Sequence, residues 1–130
     1  MHLGNWYVTG DGTMGIGDWA TVCVGHWARD VAYALSTTLE VEDRRAWERD
    51  LLERYLGRMA ERCRMTTSFA DAWERYRAHT FAALFMWTPT LCHPPTMPDM
   101  QPREMAMEMI RRITAAISDL ESLDCRIGAA

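Results

Sequence analysis

Lysine is missing from this chain: all 14 of its Lys+Arg positions are arginine. Sites that grip nucleotide phosphates commonly do so through a lysine, and no such residue can come from these 130 positions. Cysteine is sparse and unpatterned. Cys23, Cys63, Cys92 and Cys125 form no C-x-x-C pair and have no zinc-finger spacing to His79 or His93, which argues against a thiolate metal centre. They are expected to be reduced and mostly packed among apolar side chains. No apolar run approaches the length of a membrane span, and the first residues lack the basic-then-apolar pattern of a secretory leader. A cytoplasmic protein with no membrane partner is therefore expected. Basic excess is lacking too. The formal net charge is -4 and the pI about 5.5, the opposite of the electrostatic footprint that nucleic-acid binders carry.

Hydrophobic residues make up 48% of the chain and charged ones 25%, the balance of a globular domain with a real core. Proline is confined: all 5 fall between residues 88 and 102, at 89, 94, 95, 98 and 102. That segment reads as a loop. Trp6-Tyr7-Val8 and Met14-Gly15-Ile16 flank Thr9-Gly10-Asp11-Gly12-Thr13. Asp-Gly between two short apolar runs signals a hairpin, because glycine accepts the positive φ of such turns. Asn5 precedes the first strand and Asp18 follows the second, so the two should be neighbours at the open end.

Helical patterns follow. One is expected over 28–39. A second starts at Val41, with Glu42 and Asp43 suited to its first turn and a buried stripe of Trp47, Leu51, Leu52, Tyr55, Leu56, Met59 and Cys63. Its wet face would hold Glu48, Arg49, Glu53, Arg54 and Arg58. Ser68, with Asp71 three residues later, is an N-cap signal for a third helix. On it Phe69, Trp73, Tyr76, Thr80, Ala83, Leu84 and Trp87 share a face that Phe81 and Phe85 widen, and Pro89 is expected to end it. Pro102 suits the first position of a fourth helix, lined by Met105, Met109, Ile110, Ile113, Ile117 and Leu120. By position, most of the 10 methionines belong to the core. The expected fold is mainly α with a small β-hairpin, and a complete parallel sheet is excluded for want of strands. Residues 1–130 read as a single partial domain, with 1–20 carrying the hairpin and 28–123 the helices.

An amide oxygen and a carboxylate brought together are hard donors of the kind Mg²⁺ takes, often only one or two from protein. On spacing alone, Asn5 and Asp18 are equally ordinary turn residues. The residues around them are more specific. His2-Leu3-Gly4-Asn5, the hairpin, Gly17-Asp18-Trp19 and then Trp27-Ala28-Arg29-Asp30-Val31-Ala32-Tyr33 resemble the second half of the aminoglycoside phosphotransferase family, nearest the small-molecule kinases similar to choline and ecdysteroid kinases. That family's catalytic loop reads His-Gly-Asp-x-His-x-x-Asn, and the match begins at the x, with Met1.

The resemblance implies the helical lobe of a protein-kinase-like fold, truncated. It implies ATP and Mg²⁺ as cofactors, Asn5 and Asp18 as metal ligands, and a small-molecule hydroxyl as phosphoryl acceptor. His2 and Asp30 would support the catalytic loop. The catalytic base, the Asp of His-Gly-Asp, and the nucleotide-binding lobe with its phosphate-binding Lys would lie ahead of Met1 in coding sequence expected upstream, so this chain alone is expected to have little or no activity. The competing expectation is a non-catalytic helical interaction domain or decayed remnant, self-associating through exposed apolar surface.

Overall fold

The computed structural model describes residues 3–20 and 22–125. A short 3-10 turn, Leu3–Asn5, leads into a two-stranded antiparallel hairpin of β1 (Trp6–Val8) and β2 (Met14–Ile16). Trp6 pairs with Ile16, Tyr7 with Gly15 and Val8 with Met14. The five-residue turn is held by Gly12 N–H on the Thr9 carbonyl at 2.9 Å and Thr13 N–H on Asp11 Oδ1 at 3.1 Å. Gly12 sits at φ 82°, a conformation that excludes most other residues.

Four helices follow: α1 (Trp27–Thr38), α2 (Val41–Cys63), α3 (Phe69–Leu91) and α4 (Arg103–Asp119). The start of α3 matches its capping signal. Ser68 Oγ accepts from Asp71 N–H at 3.0 Å and donates to Asp71 Oδ2 at 2.6 Å, which closes the first turn of α3. α2 stops at Arg64, whose left-handed backbone (φ 54°) sends its N–H to the Met59 carbonyl, as helix C-termini commonly do. Pro102 caps α4 rather than opening it, its carbonyl accepting from Ala106 N–H at 3.1 Å.

Helix α1 lies along α3, and α4 packs against both. Ala28, Ala32, Ala72, Ala83, Ala106 and Ala116 are fully buried at these crossings, where small side chains let helix axes approach. One cluster gathers Leu52, Tyr76 and Leu120 around these alanines; a second gathers Tyr33, Trp87 and Ile113. Fully buried side chains such as Leu52 and Ile113 each contribute about 1.5–3 kcal/mol by leaving water. Arg112 ties α4 to the end of α1, pairing with Glu40 and reaching the Thr37 carbonyl at 3.4 Å. No helix among the described residues is long and apolar enough to cross a membrane.

Several expectations are corrected. Helix α3 runs through Pro89 to Leu91. The proline lies within its last turn, where few later hydrogen bonds depend on it, and Thr88 and Thr90 hydroxyls take up the Leu84 and Trp87 carbonyls at 2.8 and 2.6 Å. Glu48 is buried, not wet: Arg44, itself 1% exposed, donates to it at 2.6 Å, and the Tyr76 hydroxyl donates at 2.9 Å. Arg44 also pairs with Asp119 of α4. Phe85, by contrast, is 74% exposed, and Phe81 and Trp47 face solvent, because the core is filled by the tighter Ala-rich seams. Met14, Met86, Met97, Met100, Met105 and Met107 are exposed, so the methionines are not mainly core. Cys23, Cys63 and Cys92 are exposed free thiols rather than packed ones.

Candidate functional site

The hairpin's register decides what meets at its open end. Beyond the Trp6–Ile16 pair, Gly17 N–H continues the ladder to the Asn5 carbonyl at 2.7 Å. The next residue, Asp18, takes a left-handed backbone at φ 57°, a region that aspartate enters more readily than most non-glycine residues. The strand bends there, and the Asp18 side chain turns back towards Asn5. Asn5 Nδ2 donates to Asp18 Oδ2 at 2.9 Å. The other end of that amide is unusual. Asn5 Oδ1 is buried and, among the described residues, has no hydrogen-bond partner. A buried acceptor without a donor normally costs about 1–3 kcal/mol.

Asn5 and Asp18 line one wall of a cleft of about 350 Å³. Trp19, 60% exposed, stands at its edge. The opposite wall is the start of α1, with His26, Arg29, Asp30 and Tyr33, together with Trp87 and Thr90 of α3. Met100 and Gln101 from the proline-rich loop complete it. Asp30 thus lies in the same cleft as Asn5 and Asp18, exposed in the first turn of α1. His2 lies outside the described residues, whereas Leu3–Asn5 of the loop that Asp30 is expected to support form the 3-10 turn beside α1.

Two further residues line the cleft: His26, which the sequence offered as a surface histidine or, with Trp27, an acceptor-side residue, and Arg29, to which it gave no role. His26 is the N-cap of α1: its Nδ1 accepts from Ala28 N–H at 3.2 Å. Its ring stacks on His79 of α3, with centroids 5.0 Å apart. Burial holds its pKa below the ordinary histidine value, and the nearby His79 and Arg75 push the same way. Histidine is an uncommon cap, so residue type gave little warning. Arg29 is half-buried, and its Nη1 donates to Cys23 Sγ at 3.3 Å. Deeper in the cleft, burial raises the Tyr33 hydroxyl, with a hydrogen bond from Trp87 pulling partly back.

With this geometry established, residues 1–93 match the phosphotransferase enzyme family. The chain belongs to this family. The matched segment takes in the hairpin, the Asn5–Asp18 contact, α1, α2 and α3, and so contains most of the cleft wall. No curated protein and no solved structure matches the chain. In this family member the mainly helical body with a two-stranded hairpin is the frame on which the paired amide and carboxylate are carried.

Proposed function

We propose that this chain carries the cation-binding side of an ATP-dependent phosphotransferase site acting on the hydroxyl of a small molecule, in the branch resembling choline and ecdysteroid kinases. The observation that carries the reading is the Asn5–Asp18 contact at 2.9 Å on the cleft wall. The donor set suits Mg²⁺, which prefers a few hard oxygen ligands and leaves room for phosphates and water. Asn5 and Asp18 are near enough to share a hydrogen bond, and they would be the residues that hold the cation. Turning the Asn5 amide about its terminal bond presents Oδ1, the buried and unpartnered atom, to the same point. A carboxylate and an amide oxygen are the right chemistry.

Bound Mg²⁺ would neutralise charge on the polyphosphate. Asn5 and Asp18 orient that charge against the cleft, and the register of the hairpin fixes their spacing. Asp30 supports the loop from α1. Trp19, Tyr33 and Trp87 give the cleft an apolar, partly dry surface for the acceptor. The acceptor's hydroxyl proton would go to the catalytic Asp of the family's His-Gly-Asp motif. Transfer then moves the terminal phosphoryl from the ADP oxygen to the acceptor oxygen.

Equilibrium binding of ATP tests this. Asp18→Asn keeps a residue that tolerates the left-handed backbone and removes the charge. The chain is expected to bind ATP with Mg²⁺ and not after chelation, and Asp18→Asn to bind about tenfold more weakly, the loss of one charged contact. ATP binding indifferent to Mg²⁺ and to Asp18 would contradict the reading.

A further inference from the structure

We infer that the Tyr33 hydroxyl donates to a second oxygen of the acceptor molecule, and so selects acceptors that carry a hydrogen-bond-accepting oxygen beside the hydroxyl to be phosphorylated. This rests on the reading above, which places the acceptor in the cleft. The chain has 4 tyrosines, and two of them have left water. Tyr33 and Tyr76 are buried, whereas Tyr7 and Tyr55 keep part of their surface open. The Tyr76 hydroxyl donates to Glu48 at 2.9 Å. Tyr33 differs. Its hydroxyl oxygen accepts from the Trp87 side chain, and among the described residues nothing accepts from its O–H.

An indole is a donor only, and a phenol is both donor and acceptor. The hydrogen bond from Trp87 therefore leaves the Tyr33 hydrogen to be placed elsewhere. Tyr33 is 9% exposed and lines the cleft. A buried donor left unmade is unfavourable, so this O–H is met by whatever fills the cleft, water in one state and a ligand oxygen in another. Met86, Trp87 and Met100 line the cleft with it. One fixed donor among apolar side chains is the usual make-up of a small-molecule pocket. Such a site discriminates against an analogue that lacks the matching oxygen, because the buried donor is then stranded. The acceptor class is thus a molecule with an ether, carbonyl or second hydroxyl oxygen on an apolar frame.

The test uses two probes that differ by one ring atom: tetrahydropyran-2-methanol, with an oxygen beside its primary alcohol, and cyclohexylmethanol, with a methylene there. Each is titrated into the native chain and into Tyr33→Phe, without nucleotide or metal, and followed in amide NMR spectra. Circular dichroism and thermal melting confirm that the variant is folded. The expected result is that the affinity ratio of the ether to the carbocycle falls about fivefold in Tyr33→Phe, the loss of one neutral hydrogen bond. A Tyr33 that serves packing alone weakens both probes together and leaves the ratio unmoved, which overturns the proposal. In the native chain, nuclear Overhauser contacts from the ether to the Tyr33 ring are also expected; their absence overturns the proposal without recourse to the variant. Because metal and nucleotide are left out, the outcome is independent of Asn5 and Asp18. A Tyr33-dependent ratio alongside ATP binding indifferent to Mg²⁺ would keep the small-molecule contact and remove the phosphotransfer reading.

Discussion

At the scale of single residues, the side chains of the cleft do two kinds of work, and His26 does both: it lines the wall and closes the first turn of α1 through Nδ1. A ring nitrogen that accepts a hydrogen bond cannot also carry a proton. Its pKa is held below the ordinary value of 6.5 by burial, with His79 and Arg75 adding to the effect. The folded state therefore binds this proton less readily than the unfolded chain. Its contribution to stability is complete above about pH 6.5 and is lost as pH falls through the lowered folded value. Melting temperatures between pH 7.5 and pH 5 should fall more for the native chain than for His26→Asn, which caps without titrating. Parallel pH profiles for the two would contradict the capping role. Asn5 and Asp18 were legible in advance because a hairpin's ends must meet. The capping role of His26 and the place of Arg29 were not, since their neighbours His79 and Cys23 reach them only in the folded chain.

Between elements, the strongest tie is the Arg44 cluster. Arg44 and Glu48 sit one turn apart on α2, and Tyr76 of α3 and Asp119 of α4 close on them. Arg45 adds two contacts to Asp119, at 2.7 and 2.9 Å, and these hydrogen bonds, ahead of charge attraction, hold the Asp119 carboxyl below its usual range. Removing one partner of a buried ion pair leaves the other charge stranded, at a cost of about 3–5 kcal/mol. Arg44→Met is thus expected to lower unfolding free energy by about that amount, measured by urea denaturation, a large share of the roughly 5–15 kcal/mol typical of a domain. A loss below about 1 kcal/mol, the range of an exposed pair, would show that the cluster is not buried as described. Helix existence was readable from period and caps, as Ser68 and the stretch 41–63 show. Helix faces were less so. Period three-to-four marks where apolar residues gather, but Glu48 is drawn inward by Arg44 and by the hydroxyl of Tyr76 on another helix, and nothing in the local pattern records that. Pro89 misled for a related reason: a proline near a helix end removes little that the last turn needs.

For the molecule as a whole, the helices act as a stand and the hairpin as an arm. The Ala-lined packing of α1 on α3 fixes one wall of the cleft, and the turn at Leu3–Asn5 and the bend at Asp18 hang the other wall against it. That arrangement explains why the family resemblance was specific in the first 33 residues and only general beyond: the cleft needs particular side chains, whereas the stand needs only size and period. It also accounts for exposed Phe85 and Tyr7, 74% and 52% accessible, which belong to neither the core nor the cleft. The central claim is that a divalent cation sits between the Asn5 amide and the Asp18 carboxylate. Paramagnetic broadening by substoichiometric Mn²⁺, read residue by residue in amide NMR spectra, tests it most directly. Selective loss of the Gly4, Asn5, Gly17, Asp18 and Trp19 signals, abolished in Asp18→Asn, is the expected result. Broadening centred instead on the acidic helix starts around Glu42 and Glu104, or unchanged in Asp18→Asn, would contradict it.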